Sequence, residues 1–259
     1  MTPLMIAMLI LAGVAILIAI GFLNNAVENA KVERVRLKIE LTDRLRRCGQ
    51  INEAFPGQFM TVELKLLLTR LELNIVQRSL ALDKKNEDLK ARQVELEAEI
   101  AKGEELPVNN PAPPIMTEAQ AKDVNYHLEG LHHQVIRATQ EGYLQQTESR
   151  FWVGQIRHIL VLLHIEFFNN LGQQAFEEDQ PGHARLAFER GVQYLKKQPD
   201  PTVYSEQLNY MNKLLKRANT MVLTNTRPSE NDQNELTAGL KELTEAEGEG
   251  QWKKKAIYD

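Results

Sequence analysis

The sequence predicts an all-α protein: an N-terminal transmembrane helix, a long helical hairpin or coiled coil, a Pro-rich linker, a C-terminal helical bundle and a disordered tail. Three observations carry this reading. An uncharged apolar run opens the chain; Leu, Glu, Gln, Lys and Ala dominate the rest; and apolar residues recur at three- and four-residue steps, with little β-type alternation.

Residues 3–23 read PLMIAMLILAGVAILIAIGFL, 21 residues without a charge, with Leu4, Ile10, Leu17 and Phe22 spaced along them. As a helix the segment is about 31 Å long, the thickness of a bilayer's hydrocarbon core. A cleaved signal peptide would need a basic leader, a shorter apolar stretch and a small-x-small site. Only Met1 and Thr2 precede the run, and Asn24 and Glu28 spoil the sites ending at Ala26 and Ala30. Residues 1–23 are therefore expected to be an uncleaved anchor.

Residues 31–47 carry seven basic and three acidic side chains, beginning with Lys31, Arg34, Arg36 and Lys38. The positive-inside rule then places the N-terminus outside and the rest in the cytoplasm, most simply at a bacterial inner membrane. The single Cys48 suits a reducing compartment. With a net charge of −4 the chain is no general polyanion binder. The basic stretch mixes in acids and lacks aromatics, which favours lipid headgroups over nucleic acid.

Residues 24–102 form the juxtamembrane region. Val27, Ala30, Arg34, Leu37, Leu41, Leu45 and Cys48 trace one helical stripe that wants a partner, up to the break at Gly49 and Pro56-Gly57. A second long helix is expected over about 61–102, with Leu64, Leu71, Ile75, Leu82, Leu89 and Leu96 in register and Arg78, Lys85 and Arg92 interrupting. A hairpin or short coiled coil follows, and the stripe would accommodate a homodimer. Residues 103–117 hold four prolines and read as a stiff linker.

Residues 118–223 are expected to form a cytoplasmic four-helix domain. Its helices would run over about 118–147, over 149–178 with the apolar ILVLLHIEFF, after a cap at Asp179 with Pro181 in the first turn, and after QPDP. ILVLLHIEFF is too short to span a bilayer and reads as a helix buried on most sides. Residues 224–259 are polar and acidic until WKKKAIYD, and their low apolar content predicts disorder. Trp252, Lys253, Lys254, Lys255, Ile257 and Tyr258 there suit a docking peptide for a protein partner.

Phe168, Leu171, Gly172, Ala184 and Phe188 sit at the spacing of a tetratricopeptide unit, and residues 168–199 resemble one. Ala175, Gly191 and Lys196 depart from the family's aromatic, alanine and proline, and no second unit lies 34 residues away on either side. An ordinary helical hairpin with small residues at the contact fits equally. The resemblance implies peptide or protein recognition.

The six histidines, His127, His132, His133, His158, His164 and His183, include no pair three or four residues apart, so no metal ligand set is expected. His127 could reach Asp123, while His158 and His164 read as buried polar packing partners. No nucleophile elbow, P-loop or dinucleotide fingerprint occurs, and neither a cofactor nor an enzymatic activity is expected. Cys48 lies among arginines that could lower its pKa. The leading expectation is a membrane-tethered scaffold or adaptor that binds protein partners. The alternatives are an accessory subunit whose span packs on others through Ala12, Gly13, Ala15 and Ala19, and a helical ligand-binding or enzymatic domain.

Overall fold

The computed structural model of the chain describes the backbone of residues 3–225, and the side chains of Gly13, Leu17 and residues 20–224. Seven α-helices and no strand occur among the described residues. They group into two compact units: one takes the residues up to Ala112 with Glu129–Val153, the other Pro113–Leu128 and the residues from Gly154 onward. These units cut across the divisions at 24–102, 103–117 and 118–223 that composition suggests.

In the first unit, α1 (Pro3–Ala54) is one unbroken helix of 52 residues, about 78 Å long. Its stripe does find a partner within the chain. Leu41 and Cys48 are buried with Ile75 of α2 (Val62–Leu82), and Leu37, Leu45 and Leu82 pack around them. Thr61 caps α2 by accepting from the Leu64 amide at 3.2 Å.

The expected helix over 61–102 is two helices. α2 stops at Asp83, and Asn86 starts α3 (Glu87–Ala101) by accepting from the Leu89 amide at 3.1 Å. Asp and Asn compete for backbone hydrogen bonds, so the DKKN tetrapeptide turns the chain although it contains neither Gly nor Pro. The turn lets α3 fold back on α2. Leu96 becomes fully buried, and Arg92, which interrupts the apolar stripe, donates to the buried Glu72 at 2.7 Å.

The Pro-rich segment is packed rather than free. Leu106 is buried, the Asn110 amide donates to the carbonyls of Asn52 and Phe55, and Gly57 N–H donates to Pro111 O at 2.8 Å. A Cβ on Gly57 would lie 2.3 Å from Asn110 O, so this close approach requires glycine.

Near the start of the second unit, Ile115 is buried and held from both sides. Its N–H donates to Glu166 at 3.2 Å, and its carbonyl accepts from Asn170 at 3.2 Å. α4 (Glu118–Gln140) starts in a reciprocal cap. Thr117 Oγ1 accepts from Gln120 N–H, and the Gln120 side chain accepts from Thr117 N–H.

α5 (Gln146–Glu177) is the one helix among the described residues long and apolar enough to cross a membrane, and 33% of its most apolar stretch is buried. Val161 and Ala175 of α5 share a core with Ala184, Phe188, Val192 and Leu195 of α6 (Pro181–Lys196) and with Met211 and Ala218 of α7 (Ser205–Asn225). In the stretch ILVLLHIEFF, Ile159, Val161, Leu163 and His164 are buried, the other six residues are partly buried, and none is exposed. Asp179 does not cap α6. It adopts φ 56° and closes α5, with Gln180 N–H returning to Ala175 O and Asp179 N–H to Phe176 O. Gln180 takes the cap position with its side chain on the His183 ring rather than on a backbone N–H, and Pro181 opens α6 as expected.

Candidate functional site

The most concentrated polar arrangement in the first unit surrounds Glu141, just past the end of α4. Arg44 of α1 points inward on the same side as Leu41 and Cys48 and is only 6% exposed. Its Nε donates to Gln134 at 3.1 Å and its Nη1 to Glu141 at 2.7 Å. Arg78 of α2 also pairs with Glu141, Arg137 lies 3.4 Å from it, and Arg137 also pairs with Glu40. Burial works against the charge on Glu141, yet the hydrogen bonds from Arg78 and Arg44 outweigh it and hold the carboxyl below its ordinary 4.5.

The loop carrying Glu141 is shaped for this. Gly142 takes φ 76°, with its N–H on Thr139 O and Tyr143 N–H on Ala138 O, which ends α4 and turns Glu141 back toward the arginines. Tyr143 donates its hydroxyl to Arg70 O at 3.0 Å, and Arg70 pairs with Glu148. Asn74, Arg78, Glu141, Gly142 and Tyr143 line an open depression of about 580 Å³. All its charged members are tied to one another, so the arrangement serves as an ionic clasp joining α1, α2 and the end of α4. It places no free acid, base or nucleophile beside the depression.

Cys48 is no candidate nucleophile. Burial, with a contribution from Glu72 that the Arg44 charge only partly offsets, pushes its thiol up to about 12. The lowering expected from neighbouring arginines fails because Arg46 and Arg47 turn outward and both pair with Asp43.

In the second unit, His158 stacks on Tyr204 at 5.6 Å between ring centroids and meets its hydroxyl at 3.1 Å. His164 stacks on Tyr194 at 4.4 Å, with Nδ1 2.7 Å from Leu160 O. Burial depresses the His164 pKa below 6.5, against the opposing pull of the Leu160 carbonyl. His127, largely covered, lies 3.8 Å from the exposed Asp123 one turn earlier in α4. Among the described residues, no three His, Cys, Asp or Glu side chains are grouped to hold a metal ion.

Of the expected anchor residues, Leu17 and Phe22 are 69% and 73% exposed; the side chains of Leu4 and Ile10 lie outside those described. Within the basic flank, Lys31 sits 4.0 Å from Glu28, Arg34 and Arg36 are exposed, and Lys38 is committed to Asp83 at 2.9 Å. Trp252, Lys253, Lys254, Lys255, Ile257 and Tyr258 lie outside the described residues. Sequence reasoning missed the clasp, because Arg44 and Glu141 are 97 residues apart and Arg44 counts there as one more flanking cation.

The small residues of the tetratricopeptide-like stretch do mediate close contact. A Cβ on Gly172 would meet the Phe188 ring at 2.4 Å, and one on Gly191 would approach Phe168 Cβ at 3.3 Å. Comparison with protein-family models, curated proteins and solved structures finds no match to this chain.

Proposed function

We propose that the protein is a non-enzymatic, membrane-tethered scaffold, anchored through residues 3–23 with its helical units in the cytoplasm, and that those units and the C-terminal segment bind protein partners. One observation carries this reading. The described side chains Leu17, Ile20, Phe22, Leu23 and Val27 of α1 are all more than half exposed, while Leu41, Arg44, Cys48 and Ile51 of the same helix are buried in the first unit. A large apolar run left uncovered on a soluble helix would be a liability, whereas a bilayer supplies the missing cover. The helix is continuous, so it would transmit the anchor's position directly to the packed unit.

The scaffold reading is supported by how the polar groups are used. Arg44, Glu141, His158, His164 and Tyr143 are engaged with neighbours in roles that hold helices together. Crosslinking of the full chain in intact membranes, followed by identification of the captured proteins, tests it. Recovery of a defined partner whose capture weakens with Trp252→Ala supports the reading. Recovery of lipid alone counts against it.

A second reading, an accessory subunit whose span packs on other spans, draws on the small residues Ala12, Gly13, Ala15 and Ala19 of the sequence. Exchange of residues 1–23 for an unrelated apolar span separates the two. A simple tether survives the exchange; a packed span does not.

A further inference from the structure

One face of α1 stays open beyond the apolar run. Val32, Val35 and Ile39 are 56%, 59% and 65% exposed, while Leu41, Arg44 and Cys48 turn the opposite side of the helix into the first unit. The stripe that would have accommodated a second copy is thus taken by α2. The open face has its own heptad: Val32 and Ile39 at a, Val35 and Thr42 at d. β-Branched a residues suit a two-stranded seam. Thr42 is exposed as well, and its hydroxyl donates to the Lys38 carbonyl at 2.9 Å, so it brings no unmet donor there. The seam is short, bounded by Glu28 at the preceding d position and Arg46 at the following a position.

With residues 3–23 as the anchor, lipid does not reach this face. It begins nine residues past Leu23 and ends nineteen past it. That is roughly 14–28 Å along the helix axis, whereas the headgroup layer is about 5–8 Å deep. We infer that, given this anchor, the same face of a second copy covers it, in a parallel pair along residues 28–42. Copies inserted in one direction hold equal residues at equal heights, so Val32 meets Val32 and Ile39 meets Ile39 about a two-fold axis along the membrane normal. A partner of another sequence would need its own apolar stripe at that height.

The three apolar side chains offer on the order of 300 Å² per copy, or about 600 Å² in the pair. A dimer free in solution needs about 1,200–2,000 Å². The seam suffices only because the bilayer confines and orients both copies, which raises their effective concentration. Most flanking cations are neutralised within their own chain: Lys31 lies 4.0 Å from Glu28, Lys38 2.9 Å from Asp83 and Arg46 3.0 Å from Asp43. Across the seam, Lys31 at g faces Arg36 at e of the second copy, a like-charged pair that opposes association.

The test is oxidative crosslinking of the full chain in isolated membranes, with single cysteines at Val32→Cys, Val35→Cys, Ile39→Cys, Ala30→Cys and Arg34→Cys. Cys48 is 0% exposed, so oxidation reports the introduced thiol. A disulfide needs Cα atoms within about 7 Å, and the register puts positions 30 and 34 on the far sides of the two helices, at least about 15 Å apart. Disulfide-linked pairs of twice the chain mass should therefore form on the order of tenfold faster at 32, 35 and 39 than at 30 and 34. Val35→Glu should bring Val32→Cys down to the control rate with an unchanged circular dichroism spectrum, and Arg36→Glu, which turns a repulsion into an ion pair, should speed it. Equal rates at all five positions, faster reaction at 30 and 34, or a product of any other mass would overturn the inference. So would Arg36→Glu slowing the reaction. Alkaline carbonate washing of the same membranes separates the two readings. A chain that stays in the pellet without the pattern overturns the pairing alone, whereas a chain that leaves it overturns the anchor and the pairing together.

Discussion

Gly172 lies directly beneath the ring of Phe188, with no room for a methyl group: an added Cβ would sit 2.4 Å from two of the ring carbons. The ring itself is fully buried, so it cannot swing aside into solvent. The α5–α6 contact therefore depends on a missing side chain as much as on the apolar ones around it. Gly172→Ala should destabilise the chain by about 1–3 kcal/mol through overpacking, read from guanidinium unfolding followed by circular dichroism. Gly154 of the same helix faces open space, and Gly154→Ala should instead stabilise by about 0.5–1 kcal/mol. Equal effects at the two glycines would refute the packing argument.

The ionic clasp makes a second prediction. Glu141→Gln leaves the buried Arg44 without its carboxylate and should cost about 1.5–3 kcal/mol, toward the lower end because Glu141 itself is partly exposed. The sign with pH follows from the lowered carboxyl. Its contribution is present above pH 4.5 and is lost as the pH falls through the folded value. Acid unfolding curves should show Glu141→Gln converging on the wild type at low pH; a gap that stays constant would contradict the assignment.

His164 acts in a different pH window. Its folded pKa lies below 6.5, so the buried neutral ring contributes fully above that pH and stability falls as acidification forces a proton onto it. His164→Phe keeps an aromatic partner for Tyr194 and removes the proton. The loss of unfolding midpoint between pH 7.5 and 5.5 should be smaller in this variant than in the wild type.

Cys48, buried against α2 with its thiol pushed up to about 12, should resist Ellman's reagent in the native chain at pH 8 and react promptly in denaturant. Fast reaction under native conditions would show that the α1–α2 contact opens readily.

Local pattern made much of the fold legible. The stripe through Leu37, Leu41, Leu45 and Cys48 announced a helix in need of a partner, and α2 is that partner. The turn at residues 83–86 went unrecognised because Asp-Lys-Lys-Asn continues a charged helical pattern, and capping alone distinguishes it from one. The two units escaped detection for a related reason. α4 keeps one apolar face through Val124, Leu128, Leu131 and Val135, although the unit boundary falls within it. The clasp needed tertiary information: nothing near Arg44 in sequence distinguishes it from Arg46 or Arg47, and only the fold brings Glu141 to it.

The claim that residues 3–23 are the anchor is tested most directly by washing isolated membranes with alkaline carbonate and comparing the full chain with one lacking residues 1–23. The account expects the full chain to stay in the pellet and the shortened chain to be soluble. A shortened chain still held in the carbonate-resistant pellet would contradict it and make α5, the one described helix long and apolar enough to span, the inserted segment.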